Sequence, residues 1–177
     1  MHGDQTHGIN ELRVFYLKQR KKINVYADKE TKKYLYQSFK YCFKDNVGYP
    51  SIMSLNSLKN MHKYSGLIIE SFPVKHGAVN SCLYLINKKC AYASDVSLIK
   101  DKNLEKLKNL KYFIIDCLRY KPHPSHLCLD EVISLHNLIK PKKTILTNLN
   151  NEMDYKELKQ KLPSNIAPAY DGLSLLF

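Results

Sequence analysis

The chain has no apolar run long enough to cross a membrane, and no charged-then-apolar leader opens it. A soluble, cytoplasmic protein without a membrane partner is the expectation. It also lacks any CxxC spacing. Its five cysteines (Cys42, Cys82, Cys90, Cys117 and Cys128) are odd in number and scattered, which supports neither a disulfide framework nor a zinc knuckle. Reduced, mostly buried thiols follow. Arginine is scarce: of 28 basic residues only Arg13, Arg20 and Arg119 are arginine. There is no RGG-like tract and no interleaving of aromatic and basic residues for base stacking. The net charge of +12 is therefore read as a lysine-rich composition, and nucleic acid is disfavoured as a partner. Internal repeats and low-complexity linkers are absent too, so 177 residues suit one domain.

What is present alternates. Gly8 to Lys21 reads as a helix with Leu12, Val14, Phe15 and Leu17 as its apolar residues. Ile23 to Ala27 reads as a short strand, and Asp28 caps a helix over 29–39. Cys42 to Ser65 is the least patterned stretch and reads as loop with one short strand. Strands are expected at Leu67–Val74, Cys82–Ile86, Cys90–Ala93, Tyr112–Ile115, Thr144–Thr147, Ile166–Ala169 and Leu173–Leu176. Helices are expected at Leu104–Leu110, Leu129–Ile139 and Asp154–Leu162. Strands alternating with helices, and polar residues closing the strands, predict an α/β (α+β) fold with its site at the strand ends.

Those ends carry one kind of chemistry. His2 and Asp4 open the chain, His76 follows a strand, Asp95 closes another, and His126 lies in a Pro/His/Ser loop. Imidazole and carboxylate are the usual ligands of borderline divalent cations. A lone strand-end His is more often a hydrogen-bonded structural residue, and a lone Asp more often a turn former. It is the recurrence at successive ends that favours a metal.

The residues also carry a resemblance. His2-Gly3-Asp4-Gln5-Thr6-His7-Gly8, then Val74-Lys75-His76-Gly77, then Ala93-Ser94-Asp95-Val96-Ser97 resemble the metallo-β-lactamase superfamily, in particular its PhnP-like phosphodiesterase branch. Gly8-Ile9-Asn10-Glu11-Leu12-Arg13, Asp116-Cys117-Leu118-Arg119-Tyr120, Pro122-His123-Pro124-Ser125-His126, Thr147-Asn148-Leu149 with Asp154-Tyr155, and Ala169-Tyr170-Asp171-Gly172 extend the match over the whole chain. The resemblance implies an αββα sandwich and hydrolysis of small phosphodiesters, such as cyclic phosphates or nucleotide-like molecules, by a hydroxide held between two metals. It implies metal ligation by His2, Asp4, His76 and Asp95, with Asp95 bridging. It implies catalytic roles for Asp4 and His126, the latter as proton donor to the leaving group.

The departures from the family pattern are specific. The first loop His would precede Met1, Gln5 stands where the third loop His belongs, and Asn150 stands where a later His belongs. A neutral amide does not replace imidazole on zinc. The expectation is thus a single, incomplete domain, the C-terminal portion of the sandwich, that holds Zn²⁺ or Mn²⁺ weakly, as one ion or none, with activity reduced or lost. An uncovered sheet would call for a complementing N-terminal fragment or a second copy. The alternatives are a non-catalytic remnant and, behind it, an RNA-processing relative.

Overall fold

The computed structural model describes residues 1–177 as two compact units, 1–59 and 60–177.

In the N-terminal unit a single-turn helix α1 (Gly3–Thr6) leads through a 3₁₀ segment (His7–Leu12) into α2 (Arg13–Gln19). The continuous helix expected from Gly8 is thus broken, and Arg20 ends it in the left-handed conformation with φ 52°. β1 (Ile23–Ala27) pairs in parallel with β2 (Met53–Ser57), crossing over through α3 (Lys29–Ser38) and α4 (Lys40–Phe43). Asp28 caps α3 as its sequence predicts, taking the N–H groups of Glu30 and Thr31. Ile9, Leu35, Phe39, Cys42, Ile52 and Met53 form this unit's core. β2 lies in the stretch expected to be mostly loop. Its Met-Ser-Leu-Asn-Ser alternation is short, and pairing with β1 makes it a strand.

The C-terminal unit is built on a seven-stranded mixed sheet in the order β3-β4-β5-β6-β7-β8-β9. β3 (Met61–Tyr64), β4 (Leu67–His76), β5 (Val79–Ile86) and β6 (Cys90–Ala93) form an antiparallel meander. β7 (Tyr112–Asp116), β8 (Lys143–Thr147) and β9 (Ile166–Pro168) then add in parallel. The apolar run of β7 predicts a strand buried on both faces; Phe113 and Ile115 on one face are fully buried, and Tyr112 and Ile114 on the other are half-buried. Parallel strands need crossovers, supplied by α5 (Asp101–Leu104) with a 3₁₀ turn (Glu105–Leu107), by α6 (Leu129–Ile139) and by α7 (Tyr155–Lys161). The helix expected at Leu104–Leu110 therefore begins earlier and stops at Leu107. Leu173–Leu176 is not a strand: Gly172, at φ 91°, and the Leu173 N–H to Tyr170 carbonyl bond turn the chain off the sheet.

A chain of buried apolar residues, with Leu83, Leu107, Leu110, Phe113, Val132 and Leu158 at full burial, fixes the sheet against its helices. What matters for chemistry is that β4, β7 and β8 end on polar residues, and that Ser94 and Asp95 follow directly on β6.

Candidate metal centre

β4 carries His76 as its last residue, and the two-residue turn to β5 begins at Gly77 with φ 58°. A two-residue hairpin of the II′ kind gives that first central position to glycine. A Cβ at Gly77 would also meet the Ser125 Cβ at 3.0 Å. His76 is 5% exposed, and its Nδ1 lies 2.6 Å from the Ser125 carbonyl oxygen. A carbonyl acceptor requires the proton on Nδ1, so coordination falls to Nε2, the arrangement that metal-binding imidazoles commonly take.

Asp95 reaches His76 because of how the chain leaves β6. After Ala93 it crosses the end of β4, where Ser97 N–H donates to the Lys75 carbonyl at 2.7 Å and Lys75 N–H to the Leu98 carbonyl at 3.0 Å. The Ser97 hydroxyl in turn accepts from Gly77 N–H at 3.0 Å. His76 and Asp95 thereby offer ligand atoms within 4.8 Å of each other. Asn148, in the left-handed conformation just past β8, donates from Nδ2 to the Ser94 carbonyl at 2.7 Å and to Asp95 Oδ1 at 3.2 Å. Asparagine tolerates that backbone better than most residues.

A third strand end adds a proton-carrying group. Asp116, the last residue of β7, is fully buried. Its Oδ2 accepts from Val96 N–H at 3.3 Å and lies 2.6 Å from His126 Nδ1. Burial pushes the Asp116 carboxyl up to about 8; the Val96 N–H lowers it and the nearby Asp95 raises it. The His126 ring meets the His76 ring edge-to-face, centroids 4.6 Å apart. His123 lies 5.3 Å from His126 by ring centroid, and its Nδ1 accepts from Ser125 N–H. Slight desolvation, Arg119 and the other two imidazoles lower the pKa of His123. Arg119 fastens this loop by donating to the carbonyls of Lys121 and Pro122, and Leu118 and Leu127 close its neck.

Of the predicted residues, the C-terminal unit therefore brings together His76, Asp95 and His126. Reading strand ends did not single out Asp116, Asn148 or Ser125, which act as hydrogen-bond partners of those three. Asp116 and Asn148 do close strands, which was the available signal; the role of the Ser125 carbonyl depends on the loop's return path and had none.

His2 and Asp4 belong to the N-terminal unit. Both are exposed, and the His2 carbonyl accepts from Gln5 N–H and Thr6 Oγ1. Gln5 Nε2 donates to Asp4 Oδ2 at 3.0 Å. His7 stacks edge-on against Phe39, centroids 5.6 Å apart, and so has a packing role.

The donor set tests what cation it suits. His76 and Asp95, each with a second partner that orients it, fit a single borderline divalent ion. The Asn150 side-chain oxygen, at the position expected to serve a second ion, accepts from Glu152 N–H at 3.1 Å and so caps its own turn. A cavity of about 230 Å³ opens beside Asn148, lined by Thr147, Leu149, Tyr170 and Asp171 among others.

Comparison with known proteins bears on the family and the fold. The family described as the Beta-lactamase superfamily domain matches residues 1–147. The crystal structure of a new diphosphatase from the PhnP family is similar over 99% of this chain and 68% of that one, with 28% identity and a TM-score of 0.89. The metallo-β-lactamase fold protein YhfI from Bacillus subtilis shares the fold at 13% identity, covering 97% and 73% of the two chains, with a TM-score of 0.77. The short form of human tRNase Z does so at 13% identity, covering 98% and 74%, with a TM-score of 0.68. No curated protein matches.

Proposed function

Because the chain belongs to the β-lactamase superfamily, we propose that it is a metal-dependent hydrolase of small phosphodiesters, using one divalent cation, Zn²⁺ or Mn²⁺. The observation that supports this best is the pairing, at adjacent strand ends, of the His76–Asp95 ligand pair with the His126–Asp116 pair. One couple suits a cation and the other suits a proton. The similarity to a PhnP-family diphosphatase favours a phosphorus ester over other esters.

In this reading His76 and Asp95 hold the ion, and the sequence motif offers His2 and Asp4 as further ligands. When bound, the ion supplies Lewis-acid polarisation of the phosphoryl group and activation of water. The chain's own residues do the rest. The Ser125 carbonyl and the Asn148 amide keep His76 and Asp95 in orientation. His126 protonates the departing oxygen. As the phosphorus–oxygen bond breaks, its electron pair stays on that oxygen, which takes the proton from Nε2. Water adds to phosphorus, and the proton it sheds passes to solvent, from which Nε2 recovers one. The cavity along Thr147 and Tyr170 takes the organic part of the substrate.

Hydrolysis of bis(para-nitrophenyl) phosphate with added Zn²⁺ or Mn²⁺, compared with Asp95→Ala, tests this. The reading expects metal-stimulated turnover that the variant lacks. Equal rates in both proteins overturn it. The rival reading, a non-catalytic remnant, draws on Gln5 and on Asn150 with its oxygen engaged in a turn. It predicts that no stoichiometric metal is retained.

A further inference from the structure

We propose that Asp116 is a positioning residue for the proton donor: its carboxylate fixes the tautomer and the orientation of His126. This rests on the hydrolase reading above for its catalytic consequence, though its structural content stands apart from turnover.

The geometry carries the argument. His126 Nδ1 is 2.6 Å from Asp116 Oδ2, a short contact. That oxygen also takes the Val96 N–H, which marks it as the acceptor of the pair, so the proton lies on Nδ1 and Nε2 is the exchanging nitrogen. Asp116 is fully buried and sits on β7, a central strand, whereas His126 rides on a loop and its side chain is 17% exposed. The buried strand residue therefore sets the loop-borne one. The same Oδ2 also accepts from Val96 N–H, the backbone amide next to Asp95. One buried oxygen thus ties the segment bearing a candidate ligand to the loop bearing the donor. That loop is the one whose Ser125 carbonyl orients His76.

A purely structural role for Asp116, pinning the loop, makes different predictions. The test uses Asp116→Asn, which keeps the shape and loses the charge, with His126→Gln as the second variant. In the metal-free protein, ¹⁵N and ¹H spectra of the imidazoles report the tautomer directly. The proposal expects a strongly downfield Nδ1 proton that His126→Gln removes and Asp116→Asn shifts or abolishes. In the metal-loaded protein, two substrates with unequal leaving groups are compared, diphenyl phosphate and bis(para-nitrophenyl) phosphate. A poor leaving group needs the proton and a good one does not. Asp116→Asn should lower kcat on the diphenyl ester on the order of 10²-fold, and on the nitrophenyl ester by less than about threefold, with KM nearly constant. Adding Asp116→Asn to His126→Gln should slow neither ester further.

Equal slowing of both esters overturns the proposal, as does an unchanged His126 tautomer in Asp116→Asn. Absence of turnover in the unaltered protein overturns the hydrolase reading instead, and the tautomer spectra then decide the role of Asp116. Should Asp116→Asn not fold, Asp116→Glu takes its place: slowing of the diphenyl ester well beyond that of the nitrophenyl ester supports the proposal, and equal slowing overturns it.

Discussion

In the C-terminal unit His76 is 5% exposed and its Nδ1 is held by a backbone carbonyl at 2.6 Å, while Asp95 is 7% exposed and receives an amide from Asn148. In the N-terminal unit His2 and Asp4 are exposed, and the partner of the Asp4 carboxylate is the side chain of its own neighbour, Gln5. The residue types are the same; the scaffolds differ. Donors at the ends of buried strands have lost their side-chain entropy during folding, so a cation meets them already oriented. Donors on an exposed turn must be ordered when the ion binds. The difference assigns the candidate centre's rigidity to residues 76–148.

The sharpest way to break this comparison is to remove donors from each unit in turn. His76→Ala and Asp95→Ala should each lower metal affinity by more than about 100-fold, since even loss of an outer partner costs about 10–100-fold. His2→Ala should cost less than about tenfold, because an exposed donor must be ordered when the ion binds. Isothermal titration with Zn²⁺ measures all three, and an equal loss in His2→Ala would show that the exposed turn contributes as much as the strand ends.

A smaller effect separates the two units' glycines. Gly77→Ala places a Cβ 3.0 Å from Ser125 in a left-handed backbone, whereas Gly8 has nothing within 4 Å of its ideal Cβ. The first should cost about 1–3 kcal/mol of stability, and should also weaken metal binding by shifting the Ser125 carbonyl. The second should change stability by less than about 0.5 kcal/mol. Denaturant titration of both variants checks this.

A pH effect sharpens the contrast further. His136 in α6 is buried, with Nδ1 against Thr144 Oγ1 at 2.8 Å and Nε2 accepting from the Asn165 amide at 2.7 Å. Burial holds its pKa below the ordinary 6.5. The unfolded chain therefore takes up the proton first. Stability from this group is present above pH 6.5 and is lost as the pH falls below it. His136→Gln should flatten that part of the stability–pH curve, read by thermal melts across the range. A modest effect is expected at the caps. Partial burial raises the Asp28 carboxyl, and hydrogen bonds from Thr31 and Glu30 outweigh it and lower the net pKa. Its cap therefore stabilises above the ordinary 3.8 and weakens as the pH falls below that value. Asp28→Ala in the first unit and Asp154→Ala in the second should each cost about 1 kcal/mol, read by denaturation at neutral pH.

The sequence made much of the second unit legible. Tyr112–Asp116 and Leu129–Ile139 follow from apolar continuity and helical spacing, and both elements form over those residues. His76, Asp95 and His126 were legible as polar residues at element ends, and the structure brings them to one place. Asp116 was visible only as the end of a strand, because its role arises from the loop that returns His126 over it. Cys42–Ser65 was expected to hold one short strand and holds two, β2 and β3, and Leu173–Leu176 read as a strand because local apolarity outweighs, in sequence, the Asp171-Gly172 turn that diverts it. Gln5 and Asn150 stand out in the sequence as departures from the family's ligand pattern. The structure adds that the Asn150 side-chain oxygen is committed to its own turn.

Metal content of the folded, tag-free protein, measured by elemental analysis beside His76→Ala, tests the central claim most directly. The account predicts about one Zn²⁺ or Mn²⁺ per chain, lost in the variant. Two ions per chain, or none in either protein, would contradict it.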